Sequence, residues 1–126
     1  MIIFENSNIL CTVDPNYCVD NYFTIDVLIA IDDFKGKTSF CISLEEITAF
    51  ISKSKDVLND LNGTIVLDDY DSESNIRFEL TKKALDISGT LVNASGDLLF
   101  NFSFVSDQTF LNNFIVCLEH IIKNSN

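Results

Sequence analysis

The sequence predicts an α+β domain: an antiparallel meander sheet of about six strands with two amphipathic helices packed on one face. Three observations lead there. The stretch "YFTIDVLIAI" at 22–31 puts large apolar residues at every second position, with the period of a strand. Two later stretches place apolar residues at helical spacing behind N-capping residues. The connections between extended runs are short, which favours antiparallel neighbours. With 126 residues, 47% apolar, and only four Gly and one Pro, the composition is that of one packed domain spanning 1–126.

Taken in order, "ILCTV" at 9–13 reads as an added edge strand, and "DPNYCVDN" after it fits no element. In 22–31, Phe23, Ile25, Val27, Ile29 and Ile31 share one face, with Thr24 and Asp26 on the other. "DDFKGK" then turns the chain, with Gly36 as the residue free to take positive φ, and "TSFCI" returns, so 22–42 reads as a hairpin. Ser43 and Glu46 form a capping box, after which Leu44, Ile47, Phe50, Ile51, Leu58 and Leu61 fall on a helical stripe ended at Asn62-Gly63, where Gly63 suits the left-handed position. Extended runs at 63–67, 75–80, 84–91 and 98–105 continue the meander. The last puts Leu98, Phe100, Phe102 and Phe104 on one face, and "VNASGD" supplies the turn before it. Ser106 or Asp107 then caps a second helix whose stripe is Leu111, Phe114, Ile115, Leu118, Ile121 and Ile122.

Charge narrows the function. Nineteen acidic against eight basic residues give a formal net charge of −11, which repels nucleic acid and anionic membrane surfaces and favours a cationic partner. No run approaches the roughly eighteen apolar residues of a membrane span, and "MIIFENSN" lacks a basic leader region, so a cytoplasmic chain is expected. In that setting Cys11, Cys18, Cys41 and Cys117, with no C-x-x-C pair, read as reduced thiols rather than disulfides or zinc ligands, and the sequons "NGT", "NAS" and "NFS" are ordinary turn and strand residues. His120 is the single histidine, has no recognisable catalytic companion in the sequence, and reads as structural or surface. The expectation is no enzyme, no catalytic residue, no cofactor and no metal.

The densest run of acid is "LDDYDSES" at 67–74. Asp69, Asp71 and Glu73 fall at positions one, three and five of a calcium loop, but Ser74 stands where that loop needs Gly and Leu80 where it needs Glu. The stretch reads instead as a solvated turn between two strands. Together with the acids of the 32–33 turn it offers a field for a basic partner, so the candidate partner-binding residues are Asp32, Asp33, Asp68, Asp69, Asp71 and Glu73. The residues alone stop at an acidic α+β interaction domain; a small-ligand-binding or regulatory domain is the alternative, and a hydrolase using carboxylates ranks last.

Several phrases carry a resemblance. "SLEEITAFISKSKDVLNDLNG" matches a helix of the form L-E-E-I/L…F…L…L-x-G on Leu44, Glu45, Glu46, Ile47, Phe50, Leu58, Leu61 and Gly63. "FSFVSDQTFL" matches F-x-F-x-x-D-Q-T-x-L on Phe102, Phe104, Asp107, Gln108, Thr109 and Leu111. Over about residues 22–118 the chain resembles the WapI family of bacterial immunity proteins. The resemblance implies a small cytoplasmic protein that binds and neutralises the toxic C-terminal domain of a polymorphic, contact-dependent toxin. It brings no catalytic residues, and it leaves the toxin, its binding surface and the oligomeric state open.

Overall fold

In the computed structural model, which describes residues 1–125, the sheet expected as one six-stranded meander is two sheets of four strands each. β1 (Ile2–Glu5), β2 (Ile9–Val19), β3 (Tyr22–Ile31) and β4 (Phe34–Ser43) form the first. α1 (Leu44–Asp60) follows. β5 (Gly63–Asp68), β6 (Asn75–Leu80), β7 (Leu85–Val92) and β8 (Leu99–Ser106) form the second, and α2 (Gln108–Lys123) closes the chain. Both sheets are antiparallel, with strands in chain order. The break falls at α1, whose 17 residues carry the chain about 25 Å along the helix axis, so β5 begins a new sheet instead of pairing with β4.

The extra strands lie at the N-terminus. β2 runs on through "DPNYCV", which the sequence left unplaced, because the ladder absorbs one extra residue between Pro15 and Tyr17 as a bulge. Proline is tolerated there: β1 pairs only with residues 10–12 of β2, so beyond them the side of β2 away from β3 has no partner strand. Asp20 (φ 52°) and Asn21 (φ 65°) make the two-residue turn into β3, both in the left-handed region that such hairpins require.

The β3–β4 turn is Asp32-Asp33, with Asp32 at φ 54°, and Gly36 instead sits inside β4 opposite Ile29. Its role is close approach. A Cβ at Gly36 would stand 2.5 Å from Cδ2 of Phe100. The end of α1 differs in the same way. Leu61, at φ 55° and largely exposed, takes the left-handed position, while Gly63 at φ 143° opens β5 where a Cβ would stand 2.7 Å from Val57 Cγ2. Leu98 lies outside β8 and is exposed.

Both caps stand as read, and so does the α2 stripe with Ile122 half-buried; in the α1 stripe Ile47, Phe50 and Ile51 are buried, Leu44 and Leu58 are half-buried, and Leu61 is exposed. Ser43 Oγ accepts from the Glu46 amide at 3.1 Å and donates to the Glu46 carboxylate at 3.0 Å. Asp107 accepts from the Thr109 amide at 2.9 Å. Leu111, Phe114, Ile115, Leu118 and Ile121 are all buried, with Phe110 and Cys117 beside them. The inner faces of both sheets and both helices form one hydrophobic cluster. Its aromatic centre is Phe78 of β6, fully buried, with ring centroids 5.9 Å from Phe50 of α1 and 6.2 and 5.2 Å from Phe110 and Phe114 of α2.

Truncating Leu111, which has no exposed surface, to Ala should destabilise the fold by about 2–5 kcal/mol. Removing the cap with Asp107→Ala should cost about 1 kcal/mol. Urea unfolding followed by circular dichroism measures both, and an unchanged midpoint for Leu111→Ala would mean that α2 presents another face to the core.

Candidate functional site

β4 is the outer strand of the first sheet, and its free edge would template aggregation if left open. Here the second sheet covers it end-on. Gly36 takes the Phe100 ring, Thr38 Oγ1 donates to the Val92 carbonyl at 2.5 Å, and the Tyr70 amide donates to the Cys41 carbonyl at 2.9 Å. The Cys41 amide in turn donates to Asp69 Oδ1 at 2.8 Å. The β5–β6 loop thus imitates one rung of a strand, with a carboxylate in place of a backbone carbonyl.

That loop is internally bolted. Asp69 also accepts from the Asp71 amide at 3.2 Å and from Ser72 Oγ at 2.6 Å, and its own amide donates to the Ser74 carbonyl at 3.0 Å. Ser74 Oγ accepts from the Val92 amide at 2.9 Å. Asp69 is 8% exposed and Ser74 1%, so neither belongs to a solvated turn. The expectation of "LDDYDSES" as a plain surface turn is corrected for these two residues. A signal was present: in β5 the odd positions Ile65 and Leu67 point inward, and continuing that alternation carries Asp69 to the same side.

The six predicted acids do not form one cluster. Asp68, Asp71 and Glu73 are exposed around the β5–β6 loop, near Cys41. Asp32 and Asp33, also exposed, occupy the β3–β4 turn, which lies about 25 Å along β3 from Thr24, the residue that pairs with Cys41. The structure adds acids that sequence reasoning missed. On the outer face of the first sheet Asp14 and Asp26 stand directly opposite each other, with the chain's N-terminal amine paired to Asp14 and with Ser39 Oγ donating to Asp26 at 2.6 Å. Asp26, Asp69 and Asp71 line an open groove of about 490 Å³ at the junction of the sheets, where Lys37 is the one cationic lining residue.

The remaining chemistry-bearing residues stay apart. Burial, with Cys117 nearby, pushes the Cys11 thiol up to about 12, and burial pushes Cys117 up to about 11. Cys41 is raised by burial and then by the negative charges of Asp71, Asp69 and Glu46. Cys18 and His120 line one groove of about 260 Å³, but the hydrogen bonds of the His120 ring go to Asn124, at 3.1 and 3.2 Å, and none joins it to the thiol. Among the described residues no three His, Cys, Asp or Glu side chains are grouped to hold a metal, and no helix is long and apolar enough to cross a membrane. What the arrangement offers is an acidic surface on a rigid frame.

The immunity protein WapI-like family matches residues 5–125. The chain belongs to that family. The match takes in β2 and the final turn of α2, beyond the stretch that carried the sequence resemblance. Membership in the WapI-like immunity family implies a toxin partner in general, and proteins of this family are generally not enzymes. No curated protein matches the chain. A solved structure from Prochlorococcus sp. NATL2A, described as a protein with unknown function from the DUF155 family, is 11% identical over 94% of this chain and 97% of that one, with a TM-score of 0.36. A likeness that slight bears on neither fold nor function.

Two outcomes follow from the geometry. Asp69→Ala leaves the Cys41 amide and Ser72 hydroxyl without their acceptor and should cost about 1.5–3 kcal/mol, whereas Asp71→Asn with Glu73→Gln should stay within about 0.5 kcal/mol. Chemical denaturation of the variants measures the difference, and equal stabilities would remove the clamp from the account. For the thiols, alkylation requires the thiolate, and a raised pKa keeps Cys11 and Cys117 protonated at pH 8. Intact-mass labelling of the folded protein should leave those two unmodified until denaturant is added, and rapid labelling of all four would contradict their burial.

Proposed function

We propose that this chain protects its cell by binding the toxic C-terminal domain of a cognate polymorphic toxin and neutralising it by stoichiometric occlusion. The observation that carries the reading is the family match across residues 5–125. The formal charge of −11 supports a basic toxin domain as the partner, and a nuclease, whose substrate is anionic, is the toxin class whose surface best fits that charge. The protein acts in the cytoplasm, where an entering toxin domain meets its target.

Charge complementarity serves speed. An inhibitor must capture a toxin before turnover accumulates, and opposite fields raise the encounter rate by a factor of about 10 to 1,000 at low salt. Asp32, Asp33, Asp68, Asp71 and Glu73 supply exposed parts of that field, while Asp69 holds the loop that displays three of them. Capture then requires close contact, because exposed charges govern association more than residence.

Co-expression of the chain with the toxin domain encoded beside its gene should rescue growth, and the two should copurify at a fixed ratio. Rescue without a complex would exclude occlusion. Failure to rescue, together with thermal stabilisation by a small molecule, would favour the small-ligand-binding reading. In stopped-flow association, replacing Asp32, Asp33, Asp71 and Glu73 by their amides should slow capture roughly 3- to 10-fold and flatten its salt dependence. Unchanged rates and salt slopes would make these acids solubilising only.

A further inference from the structure

The bulge in β2 decides which side chains face outward. Before it, Cys11 and Val13 point into the core; had the alternation continued, Tyr17 and Val19 would follow them. The extra residue reverses the parity. Cys18 pairs with buried Phe23 on the inner side, and Tyr17 and Val19 emerge on the outer face opposite Thr24 and Tyr22. Tyr70, held by the Asp69 loop of the other sheet, reaches the same place and packs edge-on against Tyr22 with centroids 5.8 Å apart. The four residues are 61% (Tyr17), 57% (Val19), 41% (Tyr22) and 69% (Tyr70) exposed. An aromatic strip therefore crosses the seam between the sheets.

Its backbone is fixed and its rim is acidic. The Asp20-Asn21 turn is tied to α1 by the Leu44 amide, which donates to the Asn21 carbonyl at 2.7 Å, and Tyr70 is anchored through its amide to Cys41. Asp20 and Glu45 line the groove beside Tyr22, which contains no Lys or Arg, and Asp71 adjoins Tyr70 in sequence. Exposed aromatic side chains on hydrogen-bonded backbone, with Asp20, Glu45 and Asp71 beside them and Lys37 the one cation in the groove beyond Asp71, match the anatomy of a protein-binding hot spot, and tyrosine faces accept arginine and lysine through cation–π contact.

We propose that Tyr17, Val19, Tyr22 and Tyr70 are the anchor on which the basic toxin domain docks, seating a cationic side chain of the toxin over the Tyr22–Tyr70 pair. This rests on the immunity reading and names its contact surface. The anchor sets residence time, and the acids set arrival.

The test is surface-plasmon binding of the inactivated toxin domain encoded beside the gene, with wild type, Tyr22→Ala/Tyr70→Ala, Tyr17→Ser/Val19→Ser, and Leu99→Ser/Val105→Ser as a control of similar exposure on the second sheet. Either anchor variant should dissociate about 100-fold faster at a nearly unchanged association rate, with the control at wild-type values. The Tyr17/Val19 pair lies outside the loop clamp, so it decides the matter should the Tyr70 variant lose its fold. Binding by both folded anchor variants as tight as wild type, or an equal loss in the control, overturns this surface while leaving the immunity reading intact. A wild type that fails to bind overturns both. Sedimentation of the wild type alone should show a monomer; a dimer abolished by the anchor variants would assign the strip to self-association and overturn its role in docking.

Discussion

One carboxylate joins the two halves of this molecule. Asp69 accepts the Cys41 amide from the edge of the first sheet while gathering the Asp71 amide and the Ser72 hydroxyl of its own loop, and the adjacent Tyr70 amide completes the rung. A carboxylate buried this far is tolerated because its oxygens receive three donors. The clamp lets two four-stranded sheets meet at a strand edge without continuing one ladder. It also caps an edge that would otherwise be free to pair with another chain. Phe100 against Gly36 and Thr38 on Val92 extend the same seam along β4.

The seam organises the surface as well as the core. Inside, the apolar faces that meet beneath it surround Phe78 and are sealed by α1 and α2. Outside, the clamped loop displays Asp68, Asp71 and Glu73 and carries Tyr70 to Tyr22. One structural acid thus sits among displayed ones within a few residues of one loop. A single substitution at Asp69 acts on the fold, while its neighbours are free to serve recognition.

The sequence disclosed whatever local periodicity encodes. β3 and α2 were legible because their apolar residues repeat at strand and helix spacing over ten or more positions, and both N-caps were legible because Ser43 and Asp107 precede such runs. Of β2 only the first part, 9–13, was legible, since Pro15 and the bulge break the alternation beyond it. The division into two sheets was not legible: whether β5 pairs beside β4 is decided by where α1 leaves the chain, a tertiary matter. Among the acids, residue type cannot separate Asp69 from Asp71; only the parity of β5 does, and that requires knowing that the strand's inward alternation continues into the loop. The aromatic strip was hidden for a related reason, because its members come from three separate segments and one of them is turned outward by the bulge.

Hydrogen–deuterium exchange read by mass spectrometry, on the chain alone and on its complex with the toxin domain, tests the proposed recognition across the seam. Binding should slow exchange in peptides spanning 17–22 and 68–73, with the second sheet's outer strand at 99–105 unaffected. Protection confined to 99–105, with the seam exchanging as in the free protein, would contradict it.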